Sequence, residues 1–281
     1  MTVFGRERIE YKTREQVRMM RRAGLVVADA LAATRAAAVP GATTADLDAA
    51  AAEAIAAAGA TPSFLGYLDY PATVCVSVND EVVHGIPGAR VLEPGDVVSI
   101  DCGAIVDGWH GDSALTVVLD GADPADLALS AVTERAMWAG IAALATGERL
   151  GVVGDAVEDV VDAADRAPNG GAGYGIVQEY VGHGIGTAMH QPPDVLNYRT
   201  RERGPRLRPG LCLAVEPMIT RGGHATDVLE DDWTVVTSDG SRAAHWEHTV
   251  ALLEDGLVVL TAVDGGAARL AEWGVEVVRL E

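Results

Sequence analysis

Apolar residues at three- and four-residue spacing open the chain. Val17, Met20, Gly24, Val27 and Leu31 fall on one face of a helix announced by the capping-box pattern Thr13-x-x-Gln16. That helix should end before Pro40-Gly41. A second begins near Thr43 or Thr44, presents Leu47, Ala51, Ala54, Ile55 and Ala58, and stops at Gly59. The same order returns later: a helix from about Pro124 through Ile141 and Leu144, a turn at Gly147, then a helix carrying Val153, Val157, Val160 and Ala164. Apolar runs predict strands at Val74 to Val78, Val97 to Cys102, Leu115 to Leu119, Ile176 to Val181, Leu211 to Glu216, Thr249 to Leu252 and Leu257 to Leu260. Asp107-Gly108 is a hairpin signal, so a strand ending near Ile105 should pair antiparallel with one starting near Trp109. Helix, helix, strands, twice over, predicts an α+β fold with helices covering an antiparallel sheet.

The repetition extends to short words. Leu92-Glu93-Pro94-Gly95 leads into an apolar run closed by Asp101, and Leu207-Arg208-Pro209-Gly210 leads into one closed by Glu216. An acid where an aliphatic belongs needs a partner, because burying an unpaired carboxylate costs several kcal/mol. Two acids at matching places in a duplicated chain suggest a shared cation. A length of 281 residues allows one large or two small domains. Halves that share a site make one, so residues 1–281 read as a single catalytic domain with halves at about 13–120 and 124–262.

With 41 acidic and 21 basic residues, the net charge of -20 argues against nucleic acid as substrate. Basic residues still cluster at Arg6, Arg8, Lys12, Arg14, Arg18, Arg21 and Arg22, and again at Arg199, Arg201, Arg203, Arg206 and Arg208, where they read as solvated faces. Cys75, Cys102 and Cys212 lack CxxC spacing and fall in predicted strands, which fits reduced, buried thiols and a cytoplasmic setting. The charged N-terminus resembles no signal peptide, and no window reaches the length of a membrane span.

Folding the hairpin about Asp107-Gly108 sets Asp101 and Asp112 nearly opposite each other, and two such carboxylates repel unless one is protonated or a cation lies between them. Glu216 and Glu247, the latter in Trp246-Glu247-His248-Thr249, add two acids from the second half. Gly182-His183-Gly184-Ile185-Gly186, followed by His190, is a glycine-rich loop that could complete a metal shell; it lacks the Lys-Ser/Thr of a P-loop and the GxGxxG of a dinucleotide site. His84 alone reads as structural. Four acids and one imidazole form a hard, oxygen-rich set suited to Mn²⁺, Fe²⁺ or Co²⁺. Two ions roughly 3.5–4 Å apart fit such a set better than one.

Asp101, Asp112, His183, Glu216 and Glu247 in that order, with His84 and His190, closely resemble type I methionine aminopeptidases from about Ile9 to Leu260. The matching words are Val82-Val83-His84-Gly85-Ile86-Pro87, Asp107-Gly108-Trp109-His110-Gly111-Asp112, Gly182-His183-Gly184-Ile185-Gly186, Glu216-Pro217-Met218 and Glu247-His248-Thr249. The resemblance implies the pita-bread (creatinase/aminopeptidase) fold, two pseudo-symmetric halves around two divalent metal ions. It implies that Asp112 and Glu247 bridge the metals, that Asp101 holds one and that His183 with Glu216 holds the other. A metal-bridging water would attack the first peptide bond of N-terminal methionine peptides and nascent chains, Glu216 would carry the proton, His84 would bond near the scissile nitrogen and His190 would steady the oxyanion.

By the same resemblance the methionine pocket is lined by Phe64, Tyr67, Tyr70, Cys75, Trp233 and Met189, together with His84 and His190; each pocket aromatic or sulfur alone reads as ordinary core. The arginine clusters are the candidates for a transient ribosome contact, since the segment Thr226 to Asp232 is acidic where some relatives are basic. The rival enzyme is a prolidase or proline-specific aminopeptidase, which shares the five ligands but generally carries a large extra N-terminal domain. The rival from another class is a peptide-binding pita-bread protein without chemistry, and such proteins usually lose ligands that this chain keeps.

Overall fold

In the computed structural model, which describes residues 8–165 and 173–280, helices α1 (Arg14–Ala37) and α2 (Thr44–Ala57) open the chain. Both begin with full capping boxes. The Thr13 hydroxyl accepts from the Gln16 N–H while Gln16 accepts from the Thr13 N–H, and Thr43 and Asp46 repeat the exchange. Caps of this kind stabilise a helix by about 1 kcal/mol each. Strands β1 (Thr61–Pro62), β2 (Val74–Val78), β3 (Glu81–Val83), β4 (Val97–Val106) and β5 (Trp109–Val118) follow. Asp107 and Gly108 take φ of +50° and +79°, the left-handed pair that a two-residue hairpin turn requires. β4 pairs with β5 along one edge and with β1 and β2 along the other, all antiparallel. Val27, Leu31, Leu47 and Ile55 from the helices pack on Val76, Val98 and Ile100 from this sheet.

The second half repeats the plan with α3 (Pro124–Ala143) and α4 (Val152–Asp165). Its strands are β6 (Gly175–Ile176), β7 (Gly182–Gly184), β8 (Gln191–Val195), β9 (Cys212–Val215), β10 (Met218–Thr220), β11 (Thr226–Val228), β12 (Val235–Thr237), β13 (Ala243–His245), β14 (His248–Leu253) and β15 (Gly256–Val259), before α5 (Ala267–Ala271). The main sheet here runs β15-β14-β9-β7-β8, and Ile141, Val153 and Val157 pack on its Leu213, Val215 and Val250. Gly95 and Gly210, in the two Pro-Gly turns, share φ of +89°, a conformation that favours glycine.

The two halves are stitched along β5. Ala114 and Glu247 exchange both backbone hydrogen bonds, the Ser113 hydroxyl donates to the Glu247 carbonyl at 2.6 Å, and the Thr249 hydroxyl donates to the Asp112 carbonyl at 2.7 Å. Helix α1 closes the seam from outside. A Cβ on Gly24 would stand 2.2 Å from the Leu260 carbonyl oxygen, and one on Gly111 would stand 2.7 Å from the Gly24 nitrogen, so backbone meets backbone there.

Several expectations change. Asp101 and Asp112 are diagonal rather than opposed: Asp101 faces Ala114 and Asp112 faces Gly103, since the ladder counts outward from Val106 and Trp109. The strand expected from Ile176 to Val181 ends at Ile176. Val177 still donates to the Met218 carbonyl, and then the chain leaves the sheet to bring Tyr180 and Val181 to the central cavity. The glycine-rich loop at 182–191 contains strand β7, which carries His183, and leads into β8. Much of the basic clusters is turned inward or paired. Lys12 is buried and donates to the Glu10 carbonyl and Gln191 Oε1, and Arg21 donates to the carbonyls of Val259, Leu260, Ala262 and Val263. Arg14 pairs with Asp255, Arg22 with Asp107, Arg199 with Asp155, Glu158 and Asp159, and Arg203 with Asp155. Cys75, Cys102 and Cys212 are free and buried in β2, β4 and β9. No helix among the described residues is long and apolar enough to cross a membrane.

Candidate metal centre

Asp101 and Asp112 project from one face of the first-half hairpin, diagonal neighbours with the side-chain-free Gly103 between their strands' registers. Val215 of β9 pairs with His248 of β14, so Glu216 and Glu247, one residue beyond on each side, reach the same end of the second sheet. His183 is the middle residue of β7. All five line one cavity of about 230 Å³ between the halves. Asp112, His183, Glu216 and Glu247 are 2–8% exposed, and Asp101 is half-buried.

Such crowding is costly in protein alone. Burial pushes the Asp101 carboxyl up to about 7 and that of Glu216 up to about 8. Asp112 and Glu247 are driven well above the carboxylate range, by burial first and then by the neighbouring acids. Asp101 Oδ1, Asp112 Oδ1 and Glu247 Oε1 are buried without a hydrogen-bond partner. Oxygen lone pairs left open in a closed acidic cluster are what divalent cations satisfy, so the donor set fits metal. Ligand atoms of Asp112, His183 and Glu247 lie within 4.8 Å of one another, and so do those of Glu216, His245 and Glu247. The His183 Nδ1 lies 3.0 Å from the Gly184 carbonyl. That bond places the proton on Nδ1 and leaves the Nε2 lone pair for ligation. Burial lowers the His183 pKa to about 3, which keeps the ring neutral.

Above the acids stand the other imidazoles. His84 has φ of +61°, a strained value for a side-chain-bearing residue, and its ring sits edge-on to Tyr180 and Trp233 at 5.4 and 6.0 Å. The following Gly85 is forced, since a Cβ there would meet the Val76 carbonyl oxygen at 2.3 Å. His190 is exposed at the rim, with its Nδ1 2.9 Å from the Tyr67 hydroxyl and its ring 4.3 Å from that of His183. Phe64, Tyr70, Cys75 and Met189 form a buried cluster against which Tyr67 and Trp233 pack. The Tyr70 hydroxyl donates to the carbonyls of Val74 and Gly85, so its polar end is satisfied and its ring faces the cavity wall.

Residues 18–254 match the model of metallopeptidase family M24. The chain is also 52% identical over 258 residues to Methionine aminopeptidase 1 of Mycobacterium tuberculosis, spanning 92% of this chain and 96% of that protein. The chain belongs to family M24, among its type I methionine aminopeptidases. Methionine aminopeptidase 1 of Bacillus subtilis is 42% identical over 252 residues, 90% of this chain and 98% of that protein. The solved methionine aminopeptidase of Thermotoga maritima superposes with a TM-score of 0.83 at 38% identity, covering 90% of this chain and 99% of that one. The fold is therefore the pita-bread fold of these enzymes, and the chain is a metallopeptidase hydrolase whose clustered acids and imidazoles could hold divalent metal.

The cavity takes in every residue singled out from the sequence for metal, chemistry or pocket. It also takes in Tyr180, Val181 and Met218, which were not singled out. His245, buried beside Glu216, was missed as well. Period-two spacing was the available signal: Met218 lies two residues past Glu216 and His245 two before Glu247, so an extended chain turns each pair to one face.

Proposed function

We propose that the chain removes the N-terminal methionine from peptides and nascent proteins in the cytoplasm, using two divalent cations held by Asp101, Asp112, His183, Glu216 and Glu247. The observation that carries this reading is a cluster of four carboxylates, three of which hold a buried oxygen without a hydrogen-bond partner, set beside an aromatic and thioether-lined pocket in one cavity. Asp112 and Glu247, joined through the seam, would hold both cations, Asp101 one of them, and His183 with Glu216 the other. When bound, the cations activate water at neutral pH and polarise the scissile carbonyl. Mn²⁺, Fe²⁺ and Co²⁺ suit this oxygen-rich donor set.

The remaining work falls to side chains. Phe64, Tyr70, Cys75, Met189 and Trp233 take the methionine side chain, with soft sulfur and ring edges against a flexible thioether. Tyr67 orients His190 through its hydroxyl, and His190 steadies the oxyanion. His84, held in a strained backbone, bonds the scissile nitrogen. Glu216 accepts the proton of the attacking water and delivers it to the leaving amine. Three free, buried cysteines support a reducing compartment. A ribosome contact would fall to Arg8, Arg201, Arg206 and Arg208, since Lys12, Arg14, Arg18, Arg21, Arg22, Arg199 and Arg203 are engaged within the chain and Arg6 lies outside the described residues.

Turnover of Met-Gly and Met-Ala peptides by metal-stripped protein, measured after adding back each ion, tests the reading. Release of methionine with at least one of the three ions, no action on Xaa-Pro dipeptides, and a folded but inert Glu216→Gln variant are expected. Cleavage of Xaa-Pro substrates instead, or undiminished turnover by Glu216→Gln, would overturn it.

A further inference from the structure

Glu216 stands between two imidazoles, one for each oxygen. Its Oε1 lies 3.4 Å from His183 Nε2, and its Oε2 lies 3.6 Å from His245 Nε2. The reaction proposed above uses only the first. His245 is 1% exposed, and its Nε2 is buried with no hydrogen-bond partner. Unpartnered buried nitrogens are rare in native proteins, and this one faces the carboxylate that carries the proton.

The ring's position is fixed from both halves of the molecule. Its strand, β13, pairs with β10 at Met218↔His245, two residues past Glu216. From the first half, Ser99 Oγ and Thr116 Oγ1 accept from the His245 backbone N–H at 3.2 and 3.1 Å, and the Thr116 hydroxyl donates to the His245 carbonyl at 2.8 Å. Three such hydrogen bonds on one residue's backbone, with the strand pairing, leave the side chain little choice of direction. The ring also has a Glu247 oxygen within 4.8 Å, and Asp101 and His84 act on it electrostatically.

We propose that His245 is a positioning residue for Glu216: its Nε2–H donates to Oε2, the oxygen turned away from His183, and holds it in the orientation for proton transfer. This rests on the proton-carrying role given to Glu216 above. Closing 3.6 Å to a hydrogen bond takes less than an ångström. Catalytic hydrogen bonds are often long before substrate binds and tighten in the productive complex. An acceptor oxygen opposite Nε2 calls for the proton on that nitrogen.

Two substitutions and one spectrum test the assignment. His245→Gln keeps an N–H donor of similar reach, and His245→Leu removes it. Leu should lower kcat roughly 10–100-fold, the range for a hydrogen bond to a charged group. KM and the number of cations bound should stay within about threefold and unchanged respectively, and Gln should restore kcat to within about threefold of wild type. Nitrogen-15 NMR of the wild-type, zinc-loaded protein should show His245 Nε2 as a protonated nitrogen, which needs no variant to fold. Wild-type kcat in the Leu variant, a Gln variant no better than Leu, or an unprotonated Nε2 would each overturn the proposal. An unprotonated Nε2 together with one cation fewer in the Leu variant would make His245 a ligand with Glu216 and Glu247 instead. Full activity in His245→Leu beside an inert Glu216→Gln removes this proposal and leaves the proposed function standing, whereas an active Glu216→Gln removes the proposed function itself.

Discussion

The two halves of the molecule reach the same cavity by opposite means. The first delivers Asp101 and Asp112 from the interior of one hairpin of two ten-residue strands whose register is locked by a two-residue turn. The second delivers Glu216, Glu247 and His183 from strand ends, a strand break and a three-residue strand. A continuous ladder holds its side chains without help. Strand ends do not, and in this chain the first half supplies the help: β5 pairs with the Glu247 backbone, and Thr249 is bound to Asp112. One half thus holds its candidate ligands by its own ladder and the other depends on its neighbour, with the seam between them carrying the candidate ligands.

The sharpest way to break this comparison is to remove one seam carboxylate from each side. Asp112→Asn and Glu247→Gln should each lower kcat/KM by roughly 10³-fold or more, and each should reduce cation binding measured by calorimetry. A large loss from one and a small loss from the other would contradict a centre shared between the halves.

Removing the cations should weaken the fold in a pH-dependent way. Asp101 and Glu216 titrate near 7 and 8 in the folded chain, against about 4 when unfolded. The folded form thus keeps protons that the unfolded form releases. That stabilisation is complete below about pH 4 and is lost as pH rises through 7–8. Melting of chelated protein should fall by roughly 5–15 °C between pH 5 and pH 9. The cation-loaded protein should show no such fall, because metal replaces the protons; equal pH profiles with and without chelator would count against the site.

Smaller effects probe the seam itself. Gly24→Ala drives a methyl group into the Leu260 carbonyl and should cost about 1–3 kcal/mol in urea denaturation, with the same transition seen by all probes. Thr249→Val removes the hydroxyl that bridges Asp112 and should cost about 1–2 kcal/mol. If the second half is the dependent one, this substitution should also weaken cation binding more than the equally buried Thr34→Val, whose hydroxyl donates to the Ala30 carbonyl within α1.

The legible parts of the chain were those where a local rule and the tertiary fold agree. Helices α1 and α2 declare themselves through Thr13-Gln16 and Thr43-Asp46, and the long hairpin through Asp107-Gly108. The acids stood out as a set, because four carboxylates at matching places in the two halves call for a shared cation although each alone reads as an ordinary turn or strand-end acid. Strand β7 was hidden, since Gly-His-Gly offers neither β-propensity nor alternation and owes its form to pairing with β8 and β9. Lys12 and Arg21 read as surface charge because their partners are mostly backbone carbonyls, which leave no mark in the sequence. His245 is a single imidazole with no spacing signature beyond its two-residue offset from Glu247, and only the fold sets it beside Glu216.

Anomalous diffraction from manganese-soaked crystals tests the central claim most directly. Two manganese peaks are predicted, both in contact with Asp112 and Glu247, one also with Asp101 and the other also with His183 and Glu216. A cavity without a peak at saturating manganese, or a single ion bound by residues of one half alone, would contradict a centre built jointly by both halves.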